Sequence, residues 1–206
     1  MAQVTDECGA VAIESLRRIA VWGTDRLAKA LSLMVGRPVG VLPPRVAFVP
    51  LRSISDIAGG PESAALGSYL SVSGDLTGHV ILLIPVDSAR ALADLVMGNP
   101  AGTTTGLDEM ALSALSEVAN ITGSSFLNAI ADSANLVVLP SPPCLAMDMT
   151  AALLSSVLSG LYTESDEAII IETRFIETER EARGFFFLAL DADSLDRLVQ
   201  VLRAGV

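Results

Sequence analysis

The amino-acid sequence predicts an α+β fold built from two pseudo-symmetric repeats, each with long helices packed on antiparallel strands. Three observations predict it. A long segment with helical periodicity opens each half, a proline-rich turn follows each of these segments, and a similar strand–helix unit closes each half. Short connections between the strands favour antiparallel pairing, and we expect each half to lay its helices on one face of a sheet.

The repeat becomes visible when the chain is aligned with itself. With a shift of 99 residues, the proline pair in 41–44 coincides with the proline pair in 140–143. With a shift of 106 residues, the apolar segment 78–84 coincides with 184–190. The order of helix, proline turn, strands and helix therefore occurs twice.

The joint between the repeats is predicted at residues 98–106, where Gly, Pro and Thr cluster. We expect a single domain made of two repeats, at about 1–100 and about 105–206.

Periodicity and turn residues predict the individual elements. The long helices cover 6–35 and 107–134, and the strands cover 46–50, 69–73, 79–84, 137–139, 168–175 and 184–190. Asp87 and Asp193 are predicted N-caps of helices that run to Met97 and Leu202, because a short carboxylate accepts hydrogen bonds from first-turn N–H groups. A further short helix is predicted over 147–161.

Composition excludes several classes of function. A formal charge of -11 without a basic cluster disfavours nucleic acid as a partner, and a protein partner with a basic rim fits better. The densest apolar stretch, 80–86, is interrupted by Pro85 and is far shorter than the roughly 18 to 20 residues that span a bilayer. No secretory signal is recognisable near the first residues, so we expect a cytoplasmic protein without membrane insertion.

The reactive residue types also exclude familiar active sites. His79 is the only histidine, which leaves no Ser-His-Asp triad and no histidine-rich zinc site. Cys8 and Cys144 are far apart and belong to no CxxC motif, so we expect reduced thiols and no metal of the protein's own.

One polar strip stands out on the second long helix. Ser113, Glu117, Asn120 and Ser124 follow one another at spacings of four, three and four residues, which places them on one side of a helix. Such a strip is compatible with an ordinary solvated face. It is also compatible with a site that offers a carboxylate and an amide, one turn apart, to a partner.

A longer frame favours the site. The pattern Ser113-x3-Glu117-x2-Asn120-x22-Pro143 resembles the D/S-x3-E-x2-N-x22-P signature of the CheC, CheX and FliY phosphatases. The likeness to the second half of CheC in particular continues through the segments 120–121, 127–129, 140–143 and 148–149.

The resemblance implies a function. Proteins of this kind hydrolyse the aspartyl-phosphate of a CheY-like response regulator in chemotaxis, and the Mg²⁺ is expected on the regulator. By this resemblance Asn120 orients the attacking water, and Glu117 pairs with a lysine near the regulator's phosphorylation site. Ser113 and Pro143 support the motif.

The first half carries a degenerate copy of the frame. The equivalent positions are Glu14, Arg18, Val21 and Pro44, so the anchor has reversed sign and the amide has become apolar. We therefore expect one working site, in the second repeat. Trp22, next to the degenerate site, is predicted to pack in the core rather than to contact a partner.

Several alternatives stay open at this level. Ser113 either hydrogen-bonds Glu117 or leaves room for the regulator. Asp148 is predicted to be an N-cap, the alternative being a third functional carboxylate. The competing function is a noncatalytic adaptor that binds a response regulator or a CheD-type receptor deamidase.

Overall fold

The computed structural model describes residues 7–158, 167–177 and 180–204. The helices are α1 (Glu7–Val35), α2 (Ile54–Ile57, preceded by a 3-10 helix at Leu51–Ser53), α3 (Val86–Met97), α4 (Glu109–Ala134), α5 (Thr150–Leu158) and α6 (Ala192–Arg203). The strands are β1 (Gly40–Val41), β2 (Arg45–Pro50), β3 (Ala64–Gly74), β4 (Gly78–Pro85), β5 (Val138–Pro140), β6 (Cys144–Met149), β7 (Glu167–Glu177) and β8 (Arg180–Leu190).

The strands form one antiparallel sheet. We call β1 with β2, and β5 with β6, the two arms, because the first pairs with the hairpin β7–β8 and the second with the hairpin β3–β4. The order is β1-β7-β8-β4-β3-β5, with β2 also paired to β7 and β6 also paired to β3. Arg45 of β2 faces Glu172 of β7, and the equivalent Cys144 of β6 faces Tyr69 of β3. Each half therefore donates its arm to the other half's hairpin, and the two hairpins meet where β4 pairs with β8.

Both faces of the sheet are covered by helices. On β4, Val80 and Leu82 point into the larger core beneath α1, α3, α4 and α6. The alternate residue Ile81 points to the opposite face, where Ile54 and Leu153 of the short helices pack. The expectation that each half lays its helices on one face is wrong for α2 and α5, which pack on the other face because the central strands have apolar residues on both faces.

The predicted N-caps need correction. Pro85 precedes α3, so Asp87 lies inside its first turn. The N-cap of α6 is Asp191 rather than Asp193, and its carboxylate accepts a 2.8 Å hydrogen bond from the Ser194 N–H. Asp residues two positions apart satisfy the same capping pattern, and only the path of the preceding strand selects one of them.

The short helix α5 begins later than predicted. Residues 147–149 belong to β6 because they pair with β3, and 159–161 lie outside the described residues. Asp148 therefore lies in a strand and the N-cap prediction is wrong. Its carboxylate accepts a 2.7 Å hydrogen bond from the Met149 N–H.

The segment 98–106, which the sequence predicts to join the repeats, is held by one buried carboxylate. Asp94 of α3 is 1% exposed and accepts hydrogen bonds from the backbone N–H groups of Gly102, Thr103 and Thr104, at 2.8 to 3.1 Å. Burial raises the pKa of Asp94. These three hydrogen bonds and one from the Thr104 side chain lower it by more than burial raises it, so the net pKa lies below the usual value. The segment that leads into α4 is thus tied to α3.

Candidate active site on the fourth helix

Helix α4 is a firmly anchored support for the polar strip. The Asp108 carboxylate accepts a 2.9 Å hydrogen bond from the Ala111 N–H and caps the first turn. Asn135 ends the helix in the left-handed conformation at φ 52°. Between these caps, one side of the helix is buried by Leu115, Val118 and Phe126 in the main core.

The opposite side of α4 presents the predicted site residues. Ser113, Glu117 and Asn120 are exposed, and Ser124 is half-buried. Because Glu117 and Asn120 are three residues apart, their side chains lie on adjacent turns of one face. The structure thus brings the carboxylate and the amide together at the surface.

Neither group is bonded to any residue in the part of the chain that the structure describes. Among the described residues, Glu117 and Asn120 make no side-chain hydrogen bond or ion pair. Among these residues Ser113 makes no hydrogen bond to Glu117, and the alternative in which it leaves room for the regulator stays a prediction. A partner can therefore reach Glu117 and Asn120 without breaking an internal bond.

The two proline turns occupy equivalent positions at the ends of the sheet. Pro143 is half-buried and lies between β5 and β6, and the Ser141 N–H beside it donates to the Ser71 carbonyl at 2.9 Å. In the first half the Leu42 N–H, before Pro44, donates to the Arg174 carbonyl at the same distance. The motif proline therefore belongs to a turn that docks each arm on the opposite hairpin.

The degenerate copy on α1 presents different chemistry. Glu14, Arg18 and Val21 are all exposed. The Arg18 guanidinium donates a 3.3 Å hydrogen bond to the Ser15 hydroxyl, and Ser15 in turn bonds the Leu202 carbonyl of α6. The first half thus offers a cation and an apolar side chain at the positions where α4 offers Glu117 and Asn120.

Trp22 is a residue whose place the sequence prediction missed. Its side chain is 42% exposed, and the Arg26 guanidinium lies 4.2 Å from the centre of its ring. Arg26 also forms a 2.8 Å ion pair with Asp132 of α4. The core prediction for Trp22 is wrong because the neighbouring Gly23 faces the core instead. The spacing of four residues between Trp22 and Arg26 was the signal in the sequence for this exposed cation–π contact on one face of the helix.

Two kinds of feature are absent from the described part of the chain. It contains no group of three or more His, Cys, Asp or Glu residues arranged to hold a metal ion. None of its helices combines the length and the apolar character that crossing a membrane requires.

Comparison with known proteins finds a match over the segment that contains these residues. Residues 110–145, which contain the whole frame from Ser113 to Pro143, match the model of the CheC-like family. The chain is also 28% identical over 198 residues to the CheY-P phosphatase CheC of Bacillus subtilis (strain 168), covering 94% of this chain and 95% of that protein. The resemblance to the CheC-like family is confirmed.

Solved structures extend the CheC-like resemblance to the fold. FliY of Thermotoga maritima superposes with a TM-score of 0.77 at 17% identity, covering 95% of this chain and 97% of that one. The FliM middle domain from H. pylori superposes with a TM-score of 0.68 at 10% identity, covering 92% of this chain and 97% of that one. At these identities the two structures confirm the α+β fold of this chain and carry no information about catalysis.

Proposed function

We propose that this CheC-like chain is a cytoplasmic chemotaxis phosphatase that hydrolyses the aspartyl-phosphate of a CheY-like response regulator at one site on α4. One observation carries the proposal. Glu117 and Asn120 lie one turn apart on an anchored helix, exposed to solvent and unbonded to the described residues. The similarity to the CheY-P phosphatase of Bacillus subtilis supports the choice of substrate.

The chemistry needs little more than a positioned water. In an aspartyl-phosphate the phosphorus is already activated, so hydrolysis consists of water attacking phosphorus while the bond to the aspartate oxygen breaks. The products are inorganic phosphate and the free carboxylate. Asn120 is suited to this step because its amide both accepts from and donates to one water and brings no negative charge toward the phosphoryl group.

Glu117 has a complementary role in binding. Its exposed carboxylate, one turn before Asn120, is placed to pair with a lysine of the regulator while the amide enters the regulator's site. Charge at this surface supports that role, because α4 contains three acidic residues and no Lys or Arg. The Mg²⁺ that neutralises the phosphoryl group would be held by the regulator.

The test is turnover by substoichiometric protein. A CheY-like regulator is phosphorylated with a small-molecule phosphodonor, the donor is removed, and phosphate release is followed with this chain at about one hundredth of the regulator concentration. We expect faster release with the wild type and none above background with Asn120→Ala. Asn128→Ala is the matched control, because Asn128 is exposed on the same helix two turns further on.

The adaptor alternative gives a different result. An adaptor for a response regulator or a CheD-type deamidase binds in a stoichiometric complex, so phosphate loss would be unchanged or slowed by protection. The loss of the amide from the first repeat is the observation that favours it. Binding without acceleration at any ratio of the two proteins would overturn the phosphatase proposal.

A further inference from the structure

The exposed side of α1 carries a pattern that repeats every 11 residues. An apolar, an acidic and a basic residue recur in this order, and all are exposed: Val11, Glu14, Arg18, Trp22, Asp25, Lys29 and Leu33. Eleven residues are close to three helical turns, so the members stay on one face of the helix. We call this set the α1 strip.

The apolar side chains of the α1 strip are largely exposed to solvent, which favours a partner that covers them. Val11 is 51% exposed and Leu33 is 85% exposed. Trp22 lies between them, and its ring is held by Arg26, which is itself fixed by Asp132. A tryptophan and arginine arrangement that is already ordered is typical of the anchor of a protein interface.

The charged members are available for a partner. Within the described residues Asp25 and Lys29 form no ion pair. Glu14 makes only a 3.5 Å contact with the exposed Arg17, and such a pair contributes little. The strip therefore presents opposite charges in a fixed order along α1.

We propose that the α1 strip binds the α1 strip of a second copy of this chain, with the two helices antiparallel about a two-fold axis between Val21 and Trp22. Arg18 lies as far before this axis as Asp25 lies after it, so the two face each other across the dimer. Glu14 and Lys29 are likewise equidistant from it. A two-fold axis makes each pair twice, as an isologous interface requires.

The second long helix lacks this self-complementarity. The equivalent positions on α4 are Met110, Ser113, Glu117, Ile121, Ser124, Asn128 and Asp132, and none is basic. Because two chains of charge -11 repel each other, close contact requires a strip whose own charges match. Among the two long helices only α1 meets that requirement.

A contact along one helix gives a small interface, and we expect a weak dimer with a Kd of about 10 to 100 µM. Sedimentation velocity from about 1 to 300 µM, which brackets that Kd, measures it. Arg18→Asp and Asp25→Arg each place two like-charge pairs at the interface and are expected to weaken association by at least about ten-fold. Circular dichroism checks that each variant is folded.

The decisive experiment mixes the two variants. In the mixed dimer both charge pairs again have opposite signs, so the mixture is expected to associate about as tightly as the wild type, while each variant alone associates at least about ten-fold more weakly. The matched controls are Arg52→Asp, in the 3-10 helix before α2, and Asp56→Arg, in α2. Both are exposed charges on the opposite face of the sheet and are expected to leave the wild-type Kd unchanged.

Three results would overturn the proposal: a wild type that stays monomeric throughout, folded variants that associate like the wild type, or a mixture that fails to recover. The measurement involves no regulator, so it stands or falls independently of the proposed phosphatase function.

Discussion

Gly23 of α1 lies against Phe126 of α4 so closely that a β-carbon at Gly23 would sit 2.7 Å from Cδ1 of the phenylalanine. The Phe126 ring cannot move freely, because it is buried and packs against Phe186 with ring centres 5.2 Å apart. The spacing of the two long helices, and with it the placement of the α4 site, therefore depends on the absence of a side chain at Gly23.

Gly23→Ala is accordingly expected to destabilise the protein. Overpacking costs about 1 to 3 kcal/mol, and the helix propensity of alanine offsets about 1 kcal/mol of it. Thermal unfolding should show a midpoint lowered by about 2 to 4 °C for each kcal/mol lost. Gly123→Ala is the control, because its β-carbon would meet Leu70 at an ordinary 3.5 Å; an equal loss there would contradict the close-approach argument.

The first repeat is expected to contribute nothing to hydrolysis. Arg18→Ala combined with Val21→Ala should leave the rate of regulator dephosphorylation within about two-fold of the wild type, since neither side chain can orient water. The assay is run at nanomolar protein, where association through α1 is negligible. A loss as large as that of Asn120→Ala, in a folded variant, would show that the first half acts directly.

Asn120 and Glu117 are expected to affect different kinetic constants. Asn120→Ala removes an interaction made in the transition state, so it should lower kcat by about 100-fold with little change in KM. Glu117→Lys places like charge against the regulator's lysine and should chiefly raise KM. Steady-state rates over a range of phosphorylated regulator separate the two constants, and a reversed split would refute the assigned roles.

Asn120→Asp distinguishes orientation of water from general-base catalysis. The substitution keeps the size and one acceptor but removes the donor and brings a negative charge toward the phosphoryl group, so it should be nearly as damaging as alanine. The rate is measured between pH 6 and 8. Retention of most activity by Asn120→Asp would mean that a base activates the water, and the orientation mechanism would be abandoned.

A second active site can be built on the first repeat by two substitutions. Arg18→Glu together with Val21→Asn restores the Glu and the Asn of the frame on α1, whose proline turn matches that of the second half. If hydrolysis needs only a Glu and an Asn at these two positions of α1, kcat per chain should rise toward about twice the wild-type value. Arg18→Glu alone is the control, because it restores the anchor without the amide and should leave kcat unchanged.

Asp94 is expected to make the free energy of unfolding depend on pH in the acidic range. Asp94→Asn leaves three N–H donors with fewer acceptors and should reduce the free energy of unfolding at pH 7 by about 2 kcal/mol. Because the folded pKa lies below the unfolded value of 3.8, the stabilisation is present above that pH and is lost as pH falls through the folded pKa. Urea unfolding at pH 7, 5 and 3 should therefore show the variant and wild type converging in acid.

Asp87→Asn is the control for this series. The Asp87 side chain is 96% exposed and pairs only weakly with Arg90, so its loss should change the free energy of unfolding by less than about 0.5 kcal/mol at any of these pH values. A difference for Asp94→Asn that stays constant down to pH 3 would contradict the role of the ionised carboxylate.

Features with a local cause were predictable from the sequence alone. The helical period of α1 and α4, the two proline turns and the spacing of Glu117 and Asn120 depend on residues close together in the chain, and the structure agrees with each. The exposure of the polar strip followed from the same period, because a helix that buries one side must present the other. The role of the strip in hydrolysis stays a prediction.

Features with a distant cause were decided by the tertiary structure. Which hairpin receives β2 and β6, whether Asp148 caps a helix or pairs in a strand, and whether Trp22 or Gly23 faces α4 depend on contacts between segments far apart in the chain. Alternation and hydrophobicity specify that a strand or helix has a face to bury, but they do not specify the partner. In the structure the partners are set by contacts between distant segments: β2 pairs with β7 and β6 with β3 in one sheet, while α1 packs on α4.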